Sequence, residues 1–456
     1  MGKNETLVNG RGLVQARQAG SCRRLRGGVL AFVPLLVIAG CAGESGDAPA
    51  AAGAGGQVFT NARIYDGTGT PIIEDGVLVV DEGGRIVAAG AASSVEVPEG
   101  AEAVDLGGRF VIPGMINAHA HVENPGGQGR SEAEQLDVYA HYGVTTVLSQ
   151  GEDPQNALAL RGDRESPDLR TARIYASGLI YAPPAYDETS VDSARAHINA
   201  LAAADVDWVK IRVDSNLGAQ QKMTPEVYQT VMATANEHGL PVAVHLVELE
   251  DAKGVLQAGA ALISHSVRDQ AIDQELIGMM TERNICLVPT LTRELSTYTY
   301  SERPAFLSDP FFLERSAPEG IDSFPSAQLM TQQTESAGAQ YYRAQLPVAE
   351  QNLKALSDAG VGIAMGTDSG TRFPGRFQGY LEHLELEMMV DAGLTPEQAL
   401  RSATGDAARC IGLEGTVGTL QPGAWADFIV LEADPLADIL NTRQIQSVWI
   451  AGNQVR

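Results

Sequence analysis

The chain has 456 residues, of which 44% are hydrophobic and 5% aromatic, and its formal net charge is −25. This length is enough to bury a large core and to form one large domain with a smaller one. The strong negative charge argues against nucleic acid and anionic membrane surfaces as partners. A small-molecule substrate is the partner we expect, and the sequence predicts no oligomeric state.

Residues 1–40 have the pattern of a signal peptide rather than of a folded domain. A basic region at 23–26 precedes an apolar stretch at 29–39, which leads into I-A-G-C ending at Cys41. About eleven apolar residues suit a signal peptide better than a membrane-spanning helix. The I-A-G-C sequence resembles a bacterial lipobox, with Cys41 as the lipidated first residue. We therefore expect an exported lipoprotein anchored by lipid and facing the periplasm or cell exterior; the alternative is an ordinary secretory signal with a chance cysteine.

The small residues that follow, at 41–56, predict a flexible tether. Beyond the signal and Cys41, two cysteines remain, Cys286 and Cys410. Cys286 lies in the apolar sequence I-C-L-V-P-T, which favours a buried small hydrophobic side chain. We expect neither a disulfide framework nor a zinc site made of cysteines.

Both ends of the remaining chain have a β-rich pattern. Short alternating segments with glycine-containing turns occupy 57–110, and the same pattern returns at 413–456. The simplest arrangement is one small composite β-sandwich built from both ends.

The middle of the chain, 111–412, alternates strand-like and helix-like segments, for example helices at 225–239 and 250–259. Eight such units in about 300 residues predict an α/β fold of the (β/α)8 type, a TIM-like barrel. The predicted strands are 111–119, 144–150, 172–178, 206–213, 240–247, 262–267, 286–292 and 361–367.

The longest interruption of this alternation, 293–350, follows the seventh predicted strand and is rich in aromatic residues. One interpretation is a lid over a site at the strand ends, where loops of such folds carry function. The other is a helical insertion packed on the outside.

Side chains that bind metals end several of these strands. His119 and His121 are two residues apart, a spacing that directs both imidazoles to the same face of a strand. Lys210, His245, His265 and Asp368 end the fourth, fifth, sixth and eighth predicted strands. The chain has only eight histidines, so four at strand ends indicate a metal centre.

Two of these residues have another interpretation. Lys210 alternatively lies on the surface with its stem along the strand, and Asp368 alternatively caps a helix.

Four motifs together resemble the amidohydrolase superfamily over about residues 57–456. They are P-G-M-I-N-A-H-A-H, G-V-T-T-V, G-T-D-S-G and the closing L-Q-P-G-A-W-A-D-F-I-V-L. The pattern is most similar to the binuclear branch with Xaa-Pro dipeptidase-like, ochratoxinase-like and imidazolonepropionase-related enzymes. This resemblance implies hydrolysis of a carbon–nitrogen bond, such as the amide of an N-acyl amino acid or a dipeptide-like molecule.

The resemblance also implies two divalent metal ions, with Zn²⁺ as the first candidate, and a hydroxide that bridges them. Lys210 would be carboxylated and would bridge both ions. His119 and His121 would hold one ion with Asp368, and the other two histidines, His245 and His265, would hold the second. Asp368 would take a proton from the bridging water and pass it to the leaving amine.

The chain departs from this resemblance at two places. The loop after the third strand, S-G-L-I-Y-A-P-P-A-Y-D-E, lacks the histidine that polarises the scissile carbonyl in related dipeptidases. Tyr181 or Tyr186 is the expected replacement, unless the metals suffice. Asn117 replaces an aspartate, a change expected to affect support of the ligands rather than ligation.

Other residues near the predicted strand ends are candidates for substrate contact. They are Arg212, Arg293, Tyr298 and Arg372. Arg212 shares the face of Lys210 and would bind a substrate carboxylate or form an internal salt bridge. Of the other histidines, we expect His141, His197 and His238 to be structural, whereas His383 is a weaker candidate for the mouth of the site.

Three other functions remain open. A mononuclear deaminase or cyclic carbon–nitrogen hydrolase would use His245 and Glu248 in H-L-V-E, although the odd spacing points Glu248 away on a strand. Lactone or phosphotriester hydrolysis would use the same metal pair. A lipid-anchored solute-binding protein on an inactive barrel is disfavoured by the full ligand set.

Overall fold

The structure is a computed structural model that describes residues 56–123, 129–182 and 189–456. The predicted signal peptide, Cys41, nearly all of the tether and Tyr186 lie outside the described residues. Within the described ranges, none of the helices is long and apolar enough to cross a membrane.

The described strands and helices alternate along most of the chain. The strands are β1 Gln57–Ile64, β2 Ile73–Val80, β3 Ile86–Ala91, β4 Glu102–Asp105, β5 Phe110–Pro113, β6 Met115–Ala120, β7 Val144–Ser149, β8 Arg173–Ala176, β9 Val209–Arg212, β10 Val242–His245, β11 Leu262–Ser264, β12 Cys286–Val288, β13 Phe428–Leu431, β14 Ile445–Ile450 and β15 Asn453–Gln454. The α-helices are α1 Glu132–His141, α2 Gln155–Leu160, α3 Val191–Ala203, α4 Pro225–Glu237, α5 Leu249–Ala258, α6 Gln274–Glu282, α7 Leu291–Ser296, α8 Pro310–Arg315, α9 Ala327–Glu335, α10 Ala337–Asp358, α11 Tyr380–Asp391, α12 Pro396–Ser402 and α13 Gly405–Cys410.

The two ends of the chain share one eight-stranded mixed sheet. Its order is β15-β14-β13-β5-β1-β2-β3, and β4 pairs with β1. Phe59 of the first half packs its ring 4.9 Å from Phe428 and 4.8 Å from Trp449 of the second half, so apolar burial joins the ends. The predicted pairing of two sheets in a sandwich is not shown, because strands of both ends belong to this single sheet.

The first predicted strand of the middle, 111–119, is two strands instead of one. β5 pairs with β1 and β13 in the mixed sheet, whereas β6 pairs with β7 in a different sheet. Gly114 separates them, and a Cβ atom there would lie 2.1 Å from Thr145 Oγ1. The prediction of one strand was therefore wrong, since an apolar run does not reveal that the chain changes sheets inside it.

The middle of the chain forms parallel sheets, which confirms the predicted α/β class. One sheet has the order β6-β7-β8 and the other β9-β10-β11-β12. Isolated parallel bridges pair Tyr181 with Ile211 and Leu287 with Ile363. A third bridge links Ala120 with Ser369.

The predicted eighth strand, 361–367, has no regular strand in the structure. Its hydrogen bonds alternate between neighbours, with Ala364 N donating to Leu287 O at 2.9 Å and Met365 N donating to Ser402 O. Because one partner is a helix end rather than a strand, a continuous ladder does not form.

The predicted interruption at 293–350 consists mainly of helices, α7 to α10 with short 3₁₀ turns. Phe311 and Phe312 of α8 pack against Tyr142 and Tyr380. This burial fits a helical insertion, and movement of the segment as a lid stays a prediction.

Cys286 and Cys410 form a disulfide that links β12 to the end of α13. Cys286 is buried, as predicted, but the expectation that it is a simple hydrophobic side chain was wrong. The two residues are 124 apart in sequence, so only the tertiary fold reveals that they meet.

We expect the double variant Cys286→Ala/Cys410→Ala to lower the free energy of unfolding by about 2–5 kcal/mol, because the cross-link restricts the unfolded chain. Chemical denaturation followed by fluorescence measures this loss. Reductant should destabilise the wild type by a similar amount and leave the variant unchanged. A wild type that is insensitive to reductant would contradict the disulfide.

Candidate metal centre

The four histidines predicted as ligands come together where the parallel strands end. The ring centre of His119 on β6 lies 5.5 Å from that of His121 and 4.7 Å from that of His265. His245, the last residue of β10, has its ring centre 4.2 Å from that of His265. The strand period and the common end of parallel strands therefore bring together residues that are up to 146 positions apart in the sequence.

Asp368 joins this cluster and lies between histidines and arginines. Its Oδ1 atom is 2.8 Å from His121 Nε2 and 3.4 Å from His119 Nε2. Its Oδ2 atom contacts Arg376 Nη1 and lies 3.7 Å from Arg293 Nε. Burial would raise the pKa of Asp368, but Arg376 and the two histidines outweigh it and hold the pKa well below its usual range.

Lys210 is buried beside the histidines, which excludes the alternative of a surface lysine. Its Nζ atom lies 3.0 Å from His119 Nε2 and donates to Gln150 Oε1 at 2.8 Å. Burial lowers the pKa of Lys210 to about 7. A large share of the side chain is then a neutral amine near neutral pH, which is the form that can react with carbon dioxide.

The histidines present the form that binds metals. Burial lowers the pKa of His119 to about 3 and those of His245 and His265 well below their usual value, so these rings are neutral. Thr290 Oγ1 lies 2.6 Å from Nδ1 of His265, while Nε2 of the same ring is buried without a hydrogen-bond partner among the described residues. Neutral imidazoles, a carboxylate and a neutral amine fit divalent ions such as Zn²⁺.

His119, His121 and Asp368 form the tightest potential ligand group in the described part of the chain. One ligand atom from each lies within 4.8 Å of the others, and all three residues are buried. Asp368 has a left-handed backbone with φ of 58°, and its amide donates to His119 O at 2.8 Å. This turn directs the carboxylate toward the histidine pair, so its role as a simple helix cap is not supported.

Asp214 and Gln150 lie at the site and, like Arg376, were not predicted. Asp214 Oδ1 lies 3.6 Å from His245 Nε2 and 3.5 Å from Arg212 Nε. Gln150 accepts from Lys210 and, at 2.7 Å, from the Ser264 hydroxyl. Their positions could have indicated them, since each stands just after a strand: Asp214 ends W-V-K-I-R-V-D and Gln150 follows β7.

Besides Arg212, the other two arginines predicted to contact substrate, Arg293 and Arg372, lie near the cluster. Arg293 is mostly buried, pairs with Glu294 at 2.9 Å and stacks over the Tyr342 ring at 4.7 Å. Arg372 is exposed and lies 3.4 Å from Glu123, whose other oxygen is 3.5 Å from His121 Nδ1. Arg293 therefore contacts a proposed ligand directly, whereas Arg372 is connected to the site through Glu123.

Of the two described tyrosine candidates, Tyr181 lies beside Lys210 through its backbone, because its amide donates to Lys210 O at 3.1 Å. The Tyr181 hydroxyl donates to Ser190 O at 3.4 Å, and its ring lies 5.2 Å from that of His197. Arg343 stacks over the Tyr298 ring at 5.0 Å. Tyr181 is therefore next to a proposed ligand through its backbone, while its hydroxyl and the Tyr298 ring contact other residues.

Glu248, the residue on which the deaminase alternative depends, points to the outside. Its side chain is 43% exposed and pairs with Lys222 at 2.8 Å. It stands immediately before α5. The predicted divergence of these two side chains is therefore consistent with the structure.

The remaining histidines make structural contacts. His383 lies between Thr442 Oγ1 at 3.0 Å and Tyr142 O at 2.9 Å, so both of its ring nitrogens have partners. His141 contacts Glu314, His197 contacts Leu179 O and His238 contacts Asn199.

The chain is similar to known proteins over most of its length. The model of the Amidohydrolase family matches residues 110–455. An imidazolonepropionase of Hyphomonas neptunium is 25% identical, with 84% of this chain and 95% of the relative covered. A Bifidobacterium longum protein assigned as a prolidase has a TM-score of 0.71 and 25% identity, covering 88% of this chain and 95% of that one. A Xaa-Pro dipeptidase structure has a TM-score of 0.68 and 22% identity, covering 88% and 99%.

The chain belongs to the amidohydrolase family, because the family model matches most of its length. It is a metal-dependent hydrolase that acts on carbon–nitrogen bonds other than the peptide bonds of ordinary proteins. The superfamily predicted from the four motifs is thereby confirmed.

We expect Thr290→Val to weaken zinc binding by about tenfold, since residues that orient metal-binding histidines contribute 10–100-fold to affinity. Competition with a chromophoric chelator measures this affinity. Thr404→Val is the matched control, because it removes a buried hydroxyl that donates to Leu400 O instead. Equal affinities of the two variants would contradict a role for Thr290 at the site.

Proposed function

We propose that this enzyme hydrolyses the amide of a small N-acyl amino acid or dipeptide-like molecule at a binuclear metal centre. The observation that carries the proposal is the buried convergence of the predicted ligands around Lys210, whose ammonium is destabilised by burial. A buried lysine is costly as a cation but suits a carbamate ligand between two metal ions.

The proposed scaffold is a (β/α)8 barrel. The two parallel sheets contribute seven strands, and the bridges from Tyr181 to Ile211, from Leu287 to Ile363 and from Ala120 to Ser369 support a closed order. The ligands then occupy the carboxyl ends of the strands, where barrel enzymes carry their sites.

His119, His121 and Asp368 would hold one ion, His245 and His265 the other, and carboxylated Lys210 would bridge them. When bound, the two divalent ions, with Zn²⁺ as the first candidate, polarise a carbonyl and make a hydroxide available at neutral pH. The remaining requirements, which are orienting the substrate and moving a proton, fall to side chains of this chain.

Asp368 is the candidate for proton transfer, because its Oδ1 atom lies closer to a histidine of the cluster than the oxygens of Glu123 or Asp214 do. Arg376 holds Oδ2, while Oδ1 faces the histidines. We propose that Asp368 accepts a proton from water and delivers it to the leaving amine.

The arginines near Asp368 support a substrate that carries a carboxylate. Arg268, Arg293 and Arg376 are accompanied by two carboxylates, those of Glu294 and Asp368. The group therefore has one excess positive charge, and a guanidinium can bind a carboxylate with two parallel hydrogen bonds. Arg293 is the first candidate for this contact, followed by Arg212 beside Asp214.

A second candidate function is hydrolysis of a ring carbon–nitrogen bond. The similarity to imidazolonepropionases, at 25–26% identity, favours it. The ion pair of Glu248 with Lys222 does not support a proton-transfer role for that glutamate. This candidate would therefore also rely on Asp368.

We further propose that the enzyme is an exported lipoprotein, attached through Cys41 and facing the periplasm or cell exterior. The Cys286–Cys410 disulfide supports this location, because disulfides persist mainly in oxidising compartments.

We expect protein purified with bicarbonate to hold about two metal ions per chain, and Lys210→Ala to hold one or fewer because the bridging ligand is lost. Elemental analysis of the purified protein measures the ratio. Lys253→Ala, which removes a surface cation paired with Asp273, is the control and should keep the wild-type ratio. One ion per chain in both wild type and Lys210→Ala would contradict the binuclear centre.

We expect Arg293→Met to raise KM for N-acyl amino acids about tenfold or more, because a hydrogen bond to a charged group contributes about 1.5–3 kcal/mol. The matching N-acyl amino acid amides, which lack the carboxylate, should show little change. Arg109→Met, which removes an exposed cation paired with Glu432, is the control. Equal losses with acids and amides would exclude Arg293 as the carboxylate-binding residue.

A further inference from the structure

We propose that Asn117 and Glu382 form a positioning pair that sets the geometry of the metal centre, and that an amide at 117 is required because a carboxylate stands at 382. The inference rests on the proposed metal site. It assigns a role to two side chains that bind neither metal nor substrate.

Asn117 connects β6, the strand that carries His119, to the segment that carries Asp368. Its Oδ1 atom accepts from the His119 amide at 2.9 Å. Its Nδ2 atom donates to Thr367 Oγ1 at 2.9 Å and to Glu382 Oε1 at 2.7 Å. One side chain thus joins the residue before Asp368 to the backbone of a proposed ligand.

Glu382, on α11, also joins β6 to the segment that carries Asp368. Besides Asn117, its Oε1 atom accepts from Thr367 Oγ1 at 2.8 Å and Ser369 Oγ at 2.6 Å. Thr367 and Ser369 flank Asp368 in the chain, so one carboxylate oxygen holds both neighbours of that ligand. Tyr139 reaches the Ser369 hydroxyl at 2.8 Å. Asn117, Thr367, Ser369 and Glu382 are all fully buried.

This geometry explains why an amide stands at 117 and a carboxylate at 382. Among the described residues, the hydrogen bonds to Glu382 Oε1 come from neutral donors, and Asn117 supplies one of them. An aspartate at 117 would keep the acceptor for His119 but lose both Nδ2 bonds. It would also place two carboxylate oxygens about 2.7 Å apart in a buried site. Repulsion would then separate β6 from the Asp368 segment, together with the ligands they carry.

The same reasoning predicts a compensating change. Because Oε1 of Glu382 contacts residue 117 and both hydroxyls, a glutamine there would place Nε2 in that position, where it can donate to an aspartate at 117 and to the Ser369 hydroxyl. The Thr367 hydroxyl would then donate to the aspartate, and the Ser369 hydroxyl to Tyr139. The double variant Asn117→Asp/Glu382→Gln therefore reverses the donor and acceptor across the contact while keeping it hydrogen-bonded.

The test uses Co²⁺ as the probe in the full-length metal-free protein, comparing the wild type, Asn117→Asp, Glu382→Gln and the double variant. Cobalt affinity and the visible absorption of the bound ion are the readouts, because that spectrum reports ligand geometry and does not depend on turnover. Asp427→Asn is the matched control, since this buried carboxylate directly precedes β13 and pairs with Arg173, the first residue of β8, at 2.8 Å.

We expect Asn117→Asp to weaken cobalt binding about tenfold to a hundredfold and to alter the absorption. Glu382→Gln should have a smaller effect, and the double variant should regain the wild-type spectrum and an affinity within about threefold, a residual difference of about 0.6 kcal/mol. Asp427→Asn should lower the melting temperature without changing the spectrum.

A double variant as impaired as Asn117→Asp, or an Asn117→Asp variant that binds cobalt normally, would overturn the pairing. If Asn117→Asp does not fold, the double variant decides, because a folded protein with the wild-type spectrum supports the pair and an altered spectrum overturns it. Failure of the wild type itself to bind cobalt would overturn the proposed metal centre, and the pairing with it.

Discussion

The contact of Asp368 with His121 on one side and Arg376 on the other is the interaction on which the site depends. A buried carboxylate is costly unless it is paired, and removing one partner of a buried ion pair costs about 3–5 kcal/mol. Arg376 supplies the positive charge that pairs with Oδ2, so Oδ1 remains available to the histidines. The left-handed turn at Asp368 and its amide bond to His119 O direct the carboxylate to that position.

The position of the histidine strand depends in turn on how the chain passes between sheets. β5 belongs to the sheet of the chain ends and β6 to the parallel layer, with only Gly114 between them. The close approach of Thr145 leaves no room for a side chain there. The sheet of the chain ends is thus joined directly to β6, the strand that carries His119 of the candidate metal site.

Helix α11 supports the site with two buried carboxylates one helical turn apart, which therefore share a face. Glu382 bonds to residues on both sides of Asp368, and Glu385 accepts from the Leu291 and Thr292 amides at 2.7 Å each. The second contact holds the start of α7, from which Arg293 extends toward Asp368. One helix therefore positions both a proposed ligand and the proposed substrate arginine.

The sequence by itself indicated the α/β class and the ligand candidates through strand periodicity and strand ends, and it indicated the family through the resemblance of four motifs. His119 and His121 were candidate ligands because of their spacing, and Lys210 because of its place at a strand end. The tertiary structure alone decided that Cys286 meets Cys410, that both chain ends share one sheet, and that Asn117 faces Glu382. These contacts join residues more than 100 positions apart, and a local pattern carries no record of which distant side chain completes a buried hydrogen bond.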